Sequence, residues 1–442
     1  MRETIFDALR WLEEPARVSI HQNGEHPRVY FQITAPRNIT GMCRGRPVEE
    51  LPQILSILSP AHHLVSAMAL DSLFGVDPPP VALNMREALL QTLFIENHLK
   101  KFYCLLSFWI NPLSGPLSPA GLPNGLPSSP HILDDIMRHV SISQEATAIL
   151  GGRSDHPISA VAGGMSQPLN ADHLERLSQI ARSTLKFTSG LGDFLRKEIL
   201  GKGSRLSDLA ALPFDPMFFM SFSNDDNAIV LRNGTGGEAD RFLADMLFQK
   251  IGFHREPWSY APFAYIKEQP GGTSLKAQVG IEGLSHSQLF FVGPLARLNG
   301  DEVLSSPLAE AERQRLLVDT GPLPRFDVSA AFWFLLVELF QAAEKFGALC
   351  DEEKLIGESC RAFPDAMGRE GLAALESPGG LICHHYQADE KGLLQSIEVL
   401  DPVAENNALR CILTQKAADV AARTNLTTAE MKSTIEQVLL AI

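Results

Sequence analysis

The sequence reads as many helices with a strand pair near each end, on two observations. Long stretches carry apolar residues at three- and four-residue spacing, and a strand–turn–strand signal stands near each end. Arg17–His21 and Arg28–Thr34 alternate apolar and polar residues about a Gln22-Asn23-Gly24 turn, which predicts a hairpin inside a β-rich N-terminal segment, residues 1–45. Periodicity from Leu51 to Leu73, broken at Pro60, predicts a helix on the C-terminal side of that proline. The Pro78–Pro80 run ends it, and Asn84 is placed to cap a long helix carrying Arg86, Glu96 and His98 as far as Phe108. Residues 111–131 are dense in Pro, Gly and Ser and read as a surface loop. Helical periodicity resumes at Leu133, and an amphipathic helix follows from Asn170 or Asp172 to about Leu200. Further helices are expected at Gly237–Lys250, Leu308–Leu317 and Ser329–Leu349. A second hairpin is predicted over residues 381–400, turning at Asp389-Glu390-Lys391-Gly392, and Thr427-x-x-Glu430 is a capping box for the last helix.

With 442 residues, 45% of them hydrophobic, the chain can bury a large core. Its 52 acidic residues against 38 basic ones give a formal charge of -14, which argues against a phosphate-neutralising nucleic-acid surface. No cationic leader with a short apolar run opens the sequence, so a cytoplasmic location is expected. The most apolar run, Ala330–Phe340, contains Glu338 and is shorter than the roughly 20 residues a bilayer span needs, so it predicts a buried helix. Six cysteines stand singly at Cys43, Cys104, Cys350, Cys360, Cys383 and Cys411, with no C-x-x-C pair, as fits a reducing compartment. No phosphate loop, dinucleotide fingerprint or serine–histidine–carboxylate pattern stands out.

Short segments along almost the whole chain match one family in order. They are Leu12-Glu13-Glu14-Pro15-Ala16-Arg17; Gly45-Arg46-Pro47-Val48-Glu49-Glu50-Leu51-Pro52; Ala61-His62-His63-Leu64 with Ala69-Leu70-Asp71; and Arg86 with His98 and Phe102-Tyr103. Later come Gly151-Gly152-Arg153 with His156-Pro157 and Gly163-Gly164, then Val292-Gly293-Pro294-Leu295-Ala296-Arg297, Glu376-Ser377-Pro378-Gly379-Gly380 through His384-His385-Tyr386, and Asn406-Asn407 after Asp401-Pro402. The chain resembles the large subunit of nickel–iron hydrogenases, in flavour the soluble cofactor-reducing branch or the large-subunit-like maturation scaffolds. The resemblance implies the α+β class: one domain over residues 1–442, mainly α, with a central bundle of long helices and small antiparallel sheets at its periphery.

The same resemblance exposes what is different. The family holds nickel and iron with four thiolates from two C-x-x-C motifs, soft ligands for a soft metal pair. Its first motif, I-C-G-I-C, falls on Ile54-Leu55-Ser56-Ile57-Leu58, so Leu55 and Leu58 stand where both sulfurs belong. Its second, D-P-C-x-x-C, would follow the final helix, where this sequence stops at Leu440-Ala441-Ile442. The arginine of E-A-P-R-G, which lies over the iron in the family, is matched by Gly379, the proton-relaying glutamate by Cys43, and an aspartate of the Arg86 helix falls at about Trp109.

No catalytic or metal-ligating residue is therefore expected, and no resident cofactor. Cys43, His62, His63, Arg297 and Gly379 are the candidates for lining a vestigial cleft, each with a plainer reading: helix histidines bonded to backbone, a thiol packed as a small hydrophobe, an arginine paired inside the fold. Glu13 reads as the relic of a metal site, and His384 and His385, adjacent on a strand, should face opposite ways. The resemblance implies a nickel-free, non-catalytic subunit coupling electron transfer beside an iron–sulfur small subunit, for which the cysteine-free subunit of this fold in respiratory complex I is a precedent. The alternatives are a maturation scaffold that carries an iron–cyanide–carbonyl group transiently, and a hydrogenase with unusual ligands.

Overall fold

The computed structural model describes residues 2–9, 15–23, 26–35, 37–110, 131–200, 217–223, 226, 228–269, 271–300, 302–351, 354–357, 359–424 and 426–442. Glu13, the tip of the first hairpin and the Pro/Gly-rich segment 111–130 lie outside the described residues, as does the side chain of Trp109.

The N-terminal sheet is an antiparallel meander of β1 (Arg2–Ala8), β2 (Ala16–Asn23) and β3 (His26–Ile33). The β2–β3 hairpin is the one the alternation predicts. β1 has no clean alternation, because Ile5 is 54% exposed while Phe6 and Ala8 are buried. Short helices α1 (Ile39–Cys43) and α2 (Leu51–Leu55) lead to α3 (Pro60–Phe74), whose proline stands in the first turn, where no amide hydrogen is needed. Pro80 opens α4 (Pro80–Ile110) in the same way. Asn84 therefore does not cap α4: it lies inside the helix, and its amide donates to the Lys354 carbonyl at 3.2 Å.

α5 (Ile132–Gly151) packs along α4, and the small ribbon β4 (Ala160–Val161) and β5 (Gly164–Met165) precedes α6 (Ala171–Glu198), which Asn170 caps. Next come β6 (Phe218–Phe222), β7 (Ile229–Arg232) and β8 (Glu238–Phe242), with only the short α7 (Leu247–Lys250) after them. A helix over Gly237–Lys250 is thus not formed. The Asn233 side chain accepts amide hydrogens from Thr235 and Gly237, each at 3.0 Å, and reverses the chain into a hairpin. β9 (Ile251–His254) pairs β10 (Phe263–Ile266), α8 (Lys276–Val279) follows, and β11 (Phe290–Phe291) joins β6 in parallel.

α9 (Pro294–Asn299) and α10 (Pro307–Thr320) flank α11 (Val328–Asp351), in which every residue from Ala330 to Phe340 is buried. α11 runs through the centre of the molecule against α4, α6 and α10. β12 (Glu370–Ser377), β13 (Gly380–Ala388) and β14 (Leu394–Leu400) form a second meander under α3. Gly371 permits that contact, since a Cβ there would collide with the Ala69 carbonyl of α3. α12 (Pro402–Glu405), α13 (Asn407–Arg423) and α14 (Thr428–Leu440) complete the fold, α13 lying on β3 and α14 capped by the Thr427–Glu430 box. The architecture is mainly helical α+β, with small antiparallel sheets around the long helices. No helix among the described residues is long and apolar enough to cross a membrane.

Candidate functional site

Strand pleating sorts the three consecutive aromatic-ring residues of β13, His384, His385 and Tyr386. His384 and Tyr386 point inward onto α3, and His385 points outward to Glu370 at 2.5 Å and Glu398 at 3.0 Å. On α3, one helical turn separates His62 from Ser66, so both meet this inner face. The result is a buried chain of hydrogen bonds: His62 Nδ1 to His384 Nε2 at 2.9 Å, His384 Nδ1 to the Tyr386 hydroxyl at 2.7 Å, and Tyr386 to Ser66 Oγ at 2.8 Å.

Its direction follows from proton count. Tyr386 donates its single hydrogen to Ser66, so it must accept from His384 Nδ1–H. His384 Nε2 then carries no hydrogen and accepts from His62 Nδ1–H. Both imidazoles are held neutral. Burial, and then the charge of Arg37, bring His62 down to about 3, and burial takes His384 well below its ordinary range. Asp401 closes the near end, its carboxylate 3.6 Å from His62 Nε2, ion-paired with Arg37 and capping α12 through the Ala404 amide at 3.1 Å. Cys43 is fully buried at the far end, and burial pushes its thiol up to about 11, so it holds no thiolate at neutral pH.

His63 faces away from this chain. Its Nδ1–H donates to the Pro52 carbonyl and its Nε2 accepts the Ala160 amide, both at 2.9 Å, tying β4 to α3.

Arg297 heads a second cluster. Its guanidinium donates to Glu376 at 2.6 Å, to both Glu338 oxygens, and to the Ser377 and Pro378 carbonyls at 3.0 and 3.1 Å; His98 Nε2 completes Glu338 at 2.9 Å. One cation thus serves two carboxyls. Burial favours protonation of Glu338, but Arg297 and His98 outweigh it and hold that carboxyl near 2, while burial leaves Glu376 raised. Gly379 sits at the hairpin tip that Arg297 grips, and Gly293 (φ +95°) backs it so closely that a Cβ would stand 2.7 Å from the Gly379 carbonyl.

Between the clusters lies Glu405, 1% exposed and with neither carboxyl oxygen partnered among the described residues. Burial, and then Asp401 and Glu376, raise its pKa well above the ordinary range, so it is a neutral acid. The structure therefore joins Cys43 to His62 and Arg297 to Gly379, and leaves His63 outside both. Tyr386, Ser66, Asp401, Glu338 and Glu376 complete the clusters. Of these, only the spacing of His384 and Tyr386 and the Asp401-Pro402 cap signal were readable as placement.

No family model matches the chain. Among curated proteins it is 25% identical over 454 residues to an iron-sulfur subunit of the F420-non-reducing hydrogenase of Archaeoglobus profundus, covering 95% of this chain and 88% of that one. It is 25% identical to a subunit of the vhu F420-non-reducing hydrogenase of Methanocaldococcus jannaschii, over 95% and 99% of the two chains. The NAD-reducing hydrogenase HoxS subunit beta of Cupriavidus necator matches at 23% over 92% and 86%. In three dimensions an NAD+-reducing [NiFe]-hydrogenase chain superposes with a TM-score of 0.80 at 23% identity, over 100% of this chain and 97% of that one. The chain is a divergent homologue of these hydrogenase subunits and has the [NiFe]-hydrogenase large-subunit fold.

Of the segment that the sequence analysis matches to the first cysteine motif, Leu55 is fully buried in the main core and Leu58 packs against it, so these two side chains offer hydrocarbon and no ligand atom. No C-x-x-C occurs elsewhere in the sequence. Among the described residues no three His, Cys, Asp or Glu side chains converge as a ligand set. Between the first turn of α3, α4 and the hairpin tip lies a cavity of about 240 Å³, lined by Pro60, Ala61, Lys100 and Pro378 among others, with Lys100 paired to Glu96 at 2.5 Å. Neutral imidazoles and a protonated thiol give this region hydrogen bonds to hold it together but no soft anionic donor.

Proposed function

We propose that this chain is a nickel-free, non-catalytic large-subunit homologue that serves as a structural and electron-transfer-coupling partner of an iron–sulfur small subunit in a cytoplasmic redox complex. The observation that supports this reading is a sequence without a C-x-x-C pair, with Leu55 and Leu58 in the segment that resembles the first metal motif, on a fold shared with an NAD+-reducing [NiFe]-hydrogenase chain. A soft metal pair needs soft anionic ligands, and two leucines offer none. The relatives are named as subunits of hydrogenases, which supports a role inside an assembly.

The maturation-scaffold alternative needs an available thiolate, and the buried thiol of Cys43 is a poor one. Affinity purification of the tagged chain from its own cells distinguishes the readings. An iron- and sulfide-containing partner at constant ratio is expected, with no hydrogen-dependent dye reduction. Recovery of the chain alone, with infrared bands of cyanide and carbonyl, would favour the scaffold and reject the proposal.

A further inference from the structure

A separate cavity, of about 360 Å³, opens where α4 and α11 meet β6 and β12. Phe94, Phe222 and Phe334 give it an apolar wall. Three polar side chains on the same wall have no partner among the described residues: Ser221, which is 3% exposed, and Gln341 and Lys345, one turn apart on α11. Polar groups that face a cavity without a protein partner mark a place where a ligand's polar atom can take over from water.

The charges on the wall say what that group is. Arg297 is engaged by Glu338 and Glu376, Arg313 by Glu310 at 2.9 Å, Glu87 by the Gln91 amide at 2.8 Å, and Glu302 also has a partner. Lys345 alone among the described cations of the lining has no carboxylate partner. Gly300 keeps the space beside Ser221 open, since a Cβ there would lie 3.7 Å from the serine hydroxyl. An apolar body with a single anionic end satisfies the whole wall. A dianion would leave one charge without a counterpart beside four carboxyl groups, Glu87, Glu302, Glu338 and Glu376.

We propose that this cavity binds a lipophilic monocarboxylic acid, its hydrocarbon against Phe94, Phe222 and Phe334 and its carboxylate on Lys345, with Ser221 and Gln341 donating to the same end. Calorimetric titration with octanoate, octanol and octylammonium, which share one tail and differ in head group, tests it on the purified full chain. Octanoate is expected to bind at about one per chain and roughly tenfold or more tighter than octylammonium, because a charge-assisted hydrogen bond contributes about 1.5–3 kcal/mol. Lys345→Met should erase that preference and Lys345→Arg keep it, on a half-exposed helical position where neither change threatens the fold. Gln341→Trp, which fills the cavity from its rim, should weaken all binding. Equal affinity for the three head groups, an octanoate affinity indifferent to Lys345→Met, or no octanoate binding would each overturn the proposal.

Discussion

Replacing Arg297 with methionine is expected to destabilise the fold by about 3–5 kcal/mol, because it strands two carboxyl groups that only this guanidinium reconciles. Glu338 is 3% exposed, and its remaining partner would be His98. Glu376 would keep only the Phe222 amide, and the Ser377 and Pro378 carbonyls at the hairpin tip would lose their donor. Methionine keeps much of the stem that packs beside Phe94, so the loss measures charge rather than volume. Lysine should not rescue, since one ammonium cannot span both carboxyls in the planar fork geometry. Adding Glu338→Gln to Arg297→Met should recover a large part of the loss, as coupled neighbours do. Urea titrations of the four proteins read this out, and an Arg297→Met variant as stable as the parent would refute the role given to the cluster.

Acid should be the second large stress. His62, His63, His98, His139 and His384 are all held below their ordinary pKa, burial being the first cause in each case. The unfolded chain therefore binds protons that the folded one refuses. A group depressed in this way contributes stability above its unfolded pKa and loses it as pH falls. With His62 near 3 and His63 near 4, these two alone remove on the order of 3 kcal/mol per pH unit between about pH 6.5 and 4. Asp71, Glu376 and Glu405, raised in the folded state, act in the opposite sense: their stability is present at low pH and is lost as pH rises through their folded values. Five histidines against three carboxyls leave a net loss on acidification. Denaturant midpoints should fall steeply from pH 7 to pH 5, and more steeply in Glu405→Gln, which removes one opposing group. A flat profile would mean that the histidines are hydrated and the buried chain through Tyr386 is wrong.

Much of the fold was legible because its signals are local. Pro60 in the first turn of α3, the Asn170 cap, the Thr427 box and the Asp389–Gly392 turn each specify an element boundary by their own chemistry. The failures have local causes too. β1 breaks alternation at an exposed isoleucine, and the Asn233 turn disguised a strand as the start of a helix. For the site, the sequence could show that it contains no C-x-x-C pair, since that follows from residue identity. It could not show which polar groups would meet. Arg37 reaches Asp401 across 364 positions and His62 reaches His384 across 322, and no periodicity encodes such encounters. Glu405 was invisible for the same reason, because a lone glutamate in a short acidic helix gives no hint that both its oxygens are enclosed.

Elemental analysis of this chain, purified without oxygen from cells supplied with nickel and together with its bound partner, bears most directly on what it does. Iron and sulfide belonging to the partner, with nickel at background, is the expected composition. About one nickel per chain, removed only by unfolding this polypeptide, would mean that a hydrogenase centre forms without the paired thiolates such metals require, and would contradict the assignment.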